Sequence, residues 1–133
     1  MTAFSNYLEA ALLNHVLNSN TFADPAIVYV ALFTAAPSDA GGGTEATGGS
    51  YARVAMDSSG ADLWTVTNGH AENTSDITFP TATASWGTLT HVAIFDASVA
   101  GNLLFWGALS ASKQVDNGGV FRFLAGQLQI DLD

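Results

Sequence analysis

The last third of the chain constrains the fold more than any other part. Residues 89–95, 103–109, 120–124 and 128–132 are apolar stretches of strand length. The turns between them are short and well marked: Ala100-Gly101-Asn102, Asp116-Asn117-Gly118-Gly119 and Ala125-Gly126-Gln127. Glycine and asparagine supply the left-handed backbone that tight hairpins need. Connections this short favour antiparallel neighbours, so this part predicts a meander.

Upstream, Ile27-Val28-Tyr29-Val30-Ala31-Leu32-Phe33 is β-branched, aromatic and unbroken by any polar residue. That pattern predicts a strand covered on both faces. Residues 51–56, 63–67 and 77–79 add shorter strand candidates, the last stopped by Pro80. Residues 34–50 read as a surface loop, because Pro37, Ser38, Asp39 and Gly41-Gly42-Gly43 oppose a regular element. Before all of these, Phe4, Leu8, Leu12 and Val16 recur at helical spacing, with Ala11 and Leu13 beside them. Asn6 and Glu9 fit a capping arrangement, Thr2 is a rival cap, and Asn18-Ser19-Asn20 ends the helix. The helix is expected to cover one end of a β core rather than to dock on a neighbour. With 133 residues, no repeat and no linker, the whole of 1–133 reads as one domain. The expected fold is mainly β: an antiparallel β-sandwich or partly open barrel with one N-terminal α-helix.

Charge narrows the partners. Twelve Asp and Glu stand against three Lys and Arg, a formal net charge of −9. The cations are Arg53, Lys113 and Arg122, too few to neutralise a run of phosphates or to hold an anionic membrane. Neither nucleic acid nor membrane is expected as a partner. Only 11% of residues are charged, under half the usual share of about 25%. So sparse a surface suits an assembly subunit better than a free monomer. The start of the chain lacks the basic and apolar regions of a secretory signal, and the longest apolar run is far too short to span a bilayer, so a soluble protein is expected.

No catalytic or metal motif assembles. His15, His70 and His91 have no second ligand at metal-site spacing, and there is no cysteine. The acids lack the alternation of an EF-hand loop, although a calcium site built from separate loops would leave no signature. The glycine-rich segment 41–49 lacks the Lys-Ser/Thr end of a phosphate-binding loop. Asn73-Thr74-Ser75 fits a glycosylation triplet, a pattern that often arises by chance. No cofactor and no enzymatic activity are expected.

Two features point to protein contacts. Leu103-Leu104-Phe105-Trp106 leaves no polar face, so the strand is covered on both sides or one side meets another chain. Leu104 and Trp106 are therefore candidate interface residues. Arg53 and the neighbouring Tyr51 are the other two. Arg53 reads equally as half of an ion pair, within the chain or across a subunit boundary, and as a solvated surface arginine.

Three stretches carry a resemblance: Ala31-Leu32-Phe33-Thr34-Ala35-Ala36-Pro37, residues 43–53 ending Gly-Gly-Ser-Tyr-Ala-Arg, and Ile77-Thr78-Phe79-Pro80 through Ser85-Trp86-Gly87-Thr88-Leu89-Thr90-His91. Together they resemble a family of small tailed-phage virion proteins often labelled tail fibre or minor tail proteins. The resemblance implies a structural component of the particle, made in the host cytoplasm and displayed on the virion's outer surface, with no catalytic residue to transfer. In size and class the chain also resembles capsid decoration (cement) proteins. A decoration protein stabilising the shell through the major capsid protein is the leading expectation. A tail fibre, tail-tip or adaptor component, contacting tail proteins or a host receptor, is the alternative. There Trp64 and Trp86 would be the glycan-contact candidates, against a reading as core packing. Either role predicts a homo-oligomer, with a trimer the first arrangement to consider.

Overall fold

In a computed structural model, residues 3–57 and 60–132 are described. Eleven strands and one helix follow in order: β1 (Ala3–Phe4), α1 (Asn6–Leu17), β2 (Ile27–Ala35), β3 (Thr44–Glu45), β4 (Val54–Asp57), β5 (Trp64–Thr67), β6 (His70–Asn73), β7 (Ile77–Thr78), β8 (Gly87–Phe95), β9 (Leu103–Val115), β10 (Arg122–Phe123) and β11 (Gln129–Asp131). The fold is mainly β and antiparallel, a sandwich with an N-terminal helix, and no sheet closes into a barrel.

The larger layer is a six-stranded sheet in the order β1-β9-β8-β2, with β3 and β4 both on the far edge of β2. β2 is thus central, and Val30 to Phe33 are buried on alternating faces, as the unbroken apolar run predicts. The second layer is two small sheets, β10-β7 and β11-β6-β5. Val30, Leu32, Leu89 and Val92 of the large sheet pack against Ile77, Phe79, Phe121, Phe123 and Leu128. A second cluster continues this core through Val28 and Trp64, and joins Leu8 of α1 to Ile94, Leu104 and Ile130.

The meander stops after one hairpin. β8 pairs with β9, but β10 pairs with β7 and β11 with β6. The turns at 116–119 and 125–127 therefore pass the chain between sheets instead of returning it along its neighbour. Lys113 opposite Leu89 and Ala108 opposite His91 leave residues 109–112 facing Thr90 alone. This wide bulge bends β9 and interrupts its pairing, which resumes from Lys113 to Val115.

The helix also differs from expectation. Its cap is Ser5, whose Oγ accepts from the Leu8 N–H and donates to the Leu103 carbonyl. Asn6 lies inside the first turn, and Thr2 falls outside the described residues. Phe4 belongs to β1 rather than to the helical stripe. Leu8 is buried, whereas Leu13, Val16 and Leu17 are exposed, Val16 by 75%. The apolar stripe covers the core for about one turn and then runs out over solvent. Strand β6 is not legible in the sequence, since His70-Ala71-Glu72-Asn73 has little strand character. It forms because Asn68-Gly69, both at positive φ, makes a tight hairpin that folds it onto β5.

Candidate interaction surfaces

The segment 37–53 joins the end of the expected loop, 34–50, to the start of the strand expected at 51–56. Its Ala46 and Tyr51 pack into the core between the layers, while its part near Asp39 and Glu45 folds down onto the face of the large sheet that the second layer leaves uncovered. That face carries Ala31, Phe33, Ala93 and Leu103, flanked by Phe95 and Trp106. The first anchor is Asp39. Its carboxylate accepts the Trp106 indole N–H at 2.9 Å and its carbonyl accepts the Asn6 N–H at 2.9 Å.

The second anchor is a polar clamp. Arg53 donates from Nε and Nη2 to the two oxygens of Glu45, at 2.8 and 2.9 Å, a two-pronged fit that only a guanidinium makes. Its Nη1 donates to the carbonyls of Ala97 and Ala100 at 2.8 and 2.9 Å. The guanidinium carbon lies 3.8 Å from the centre of the Phe95 ring. With only 6% of its side chain exposed, Arg53 ties the β3–β4 segment to the β8–β9 turn. Tyr51 completes the clamp: its hydroxyl accepts from the Leu32 N–H at 3.0 Å and donates to Glu45 Oε1 at 2.9 Å. Burial pushes the Tyr51 hydroxyl well above the ordinary phenol range, so it stays protonated and keeps that donor role.

The third anchor joins two sequence motifs. Trp86 Nε1–H donates to the Gly49 carbonyl at 2.9 Å, and its ring meets Tyr51 edge-on at 5.3 Å. Gly49 has φ of 53°, and a Cβ there would sit 2.7 Å from the Ala84 carbonyl and 3.0 Å from the Trp86 nitrogen. The Gly-Gly-Ser-Tyr-Ala-Arg and Trp-Gly-Thr stretches are thus one structural unit, which explains why both occur in one chain.

The four candidate interface residues therefore have distinct places. Tyr51 and Arg53 come together on Glu45, and Arg53 is paired within the chain. Trp106 lies half-buried on the same sheet face, held by Asp39. Leu104 is buried in the second core cluster on α1. Trp86 is buried and Trp64 packs against both core clusters, as the packing reading expects. Asn73 is buried and fully used: its amide donates to the Ser75 and Leu124 carbonyls, and its oxygen accepts the Leu128 N–H. It is a structural asparagine at the junction of the small sheets. His70 is partly exposed and bonded to Asp131 at 2.6 Å, which raises its basicity above the usual histidine value. Among the described residues no group of three or more His, Asp or Glu is placed to hold a metal ion.

The most exposed apolar side chains lie outside the three stretches that carry the resemblance. Leu13, Val16 and Leu17 form an apolar strip on the last turns of α1, and Val99 stands out at the tip of the β8–β9 turn. The doublets Leu12-Leu13 and Val16-Leu17 are the signal the sequence holds for it, since one helix face cannot bury both members of each pair.

The molecule is thus a small antiparallel sandwich with a polar clamp inside and an apolar strip outside. Over residues 3–131 the chain matches the model of the family described as podophage GP4 fiber I protein gp80, and it belongs to that family of phage structural proteins. No curated protein matches the chain. The family description carries the fibre alternative; nothing comparable speaks for the capsid-decoration expectation.

Proposed function

We propose that the chain is a building block of the tail fibre apparatus, working by protein–protein contact and self-association rather than by catalysis. The family match over nearly the whole chain carries this reading. The exposed strip Leu13, Val16 and Leu17 supports self-association in particular. Two copies of a chain at −9 repel one another over most of their surfaces. Along α1, Glu9 is the one carboxylate, placed in the first turn, and His15 lies in the last. The apolar end of the helix is therefore a place where two copies can meet with little electrostatic cost and with apolar area to bury.

Sedimentation at micromolar concentration tests this. The unaltered chain is expected to run as an oligomer and Val16→Asp as a monomer that keeps its fold by circular dichroism, because Val16 is 75% exposed within one chain. A monomeric unaltered chain, or an oligomer indifferent to Val16→Asp, would overturn the self-association reading.

A further inference from the structure

Beyond Trp106 the outer edge of β9 has no neighbouring strand among the described residues, since β1 pairs only with Phe105 and Trp106. A groove of about 540 Å³ runs along this edge. Six consecutive residues, 108–113, line one wall, as a strand viewed edge-on must present. The opposite wall comes from Phe121, Arg122 and Phe123 with Gln127 to Gln129. An adjoining hollow of about 480 Å³ shares Lys113, Arg122 and Gln127.

The charge distribution is what singles this groove out. The chain has twelve acids, yet none of those among the described residues lines either hollow. Of its three cations, Arg53 is consumed in the internal clamp. The other two, Lys113 and Arg122, both stand here. Lys113 donates to the Val120 carbonyl and lies 5.4 Å from the centre of the Phe121 ring, with no carboxylate partner among the described residues. Arg122 is exposed, and its guanidinium has no bonding partner among the described residues. A free strand edge offers unpaired backbone groups, and added strands are recognised by main-chain bonds along it. The bulge at 109–112 interrupts this edge with residues that are small apart from Leu109, and the strand is regular again from Lys113.

We infer that this groove is the docking site for an extended, acidic segment of a different virion protein, which adds to the β9 edge and places carboxylates on Lys113 and Arg122. Nucleic acid does not fit, because two cations cannot follow a phosphate backbone.

The inference rests on the virion reading above, and one experiment separates the two. Lys113 is the chain's only lysine. Zero-length carbodiimide coupling on purified virions joins an amine to a carboxylate only when they are in contact, so a link mapped to Lys113 reports this groove. The expected product joins Lys113 to an Asp or Glu of another virion protein. Arg122→Glu is expected to lower incorporation into particles by about tenfold or more while leaving the melting temperature unchanged. A link from Lys113 to a second copy of this chain, resolved by isotope mixing, would overturn the assignment of the occupant. So would a Lys113 that is freely acetylated in intact particles. Absence of the chain from purified virions would instead overturn the virion reading itself.

Discussion

Arg53 and Arg122 carry the same side chain in opposite settings. Arg53 makes four hydrogen bonds within the chain, lies over an aromatic ring and is nearly closed to water. Arg122 sits on a two-residue strand at an open sheet edge, and its side chain bonds to nothing among the described residues. A cation that is buried and paired holds a fold together, because removing it strands a carboxylate in a poor solvent. An exposed one contributes little to stability and is available to a partner. The clamp side of this molecule is finished; the β9 edge and the end of α1 are not.

The contrast predicts a graded series of effects on melting. Arg53→Ala should cost most, about 2–4 kcal/mol by urea denaturation, since it leaves Glu45 with only the Tyr51 hydroxyl and strips two loop carbonyls of their donor in a partly buried site. Arg53→Lys should recover only part, because an ammonium cannot span both carboxylate oxygens. A loss no larger than that of an ordinary surface arginine would dissolve the distinction. Tyr51→Phe keeps the ring packing on Phe79 and Trp86 but leaves the Leu32 N–H without its acceptor, for about 1–3 kcal/mol. An unchanged denaturation midpoint would mean that the hydroxyl is not part of the clamp.

His70 gives a smaller, pH-dependent effect. Asp131 raises its folded-state value above that of the unfolded chain. Its stabilising contribution is therefore fully present below the unfolded value near 6.5 and fades as pH rises through the folded value. His70→Gln should lower the melting temperature more at about pH 5.5 than at about pH 8.5, and the reverse order would refute the His70–Asp131 pairing. Arg122→Ala should do least, within about 0.5 kcal/mol. A larger loss would mean that Arg122 has a structural partner and that the two arginines are less different than they look.

How much of the molecule is readable from its sequence follows the same division. The central strand declares itself through Ile27 to Phe33, because a seven-residue run with no polar member suits only a strand covered on both faces. The β8–β9 hairpin declares itself through Ala100-Gly101-Asn102, where Ala100 and Gly101 do take positive φ. The pairing of β10 with β7 and of β11 with β6 does not, since short strands joined by short turns look alike whether the chain returns to its neighbour or crosses to another layer. Arg53 and Tyr51 stand out by rarity and spacing, yet their partner Glu45 lies in a stretch whose glycines hide the strand beside β2. Leu104 and Trp106 read correctly as parts of a strand that is apolar on both sides. Nothing in the pattern says that α1 and Asp39, from the same chain, supply much of the cover. Lys113 and Arg122 are nine residues apart and meet only because the chain crosses between layers.

The most direct test of the fibre assignment separates heads from tails after disrupting purified virions, and measures the chain in each fraction against the major capsid protein. Recovery with the tails, at a small fraction of the capsid protein's copy number, is the expected result. Recovery with the heads, at a copy number approaching that of the capsid protein, would contradict the assignment and restore shell decoration in its place.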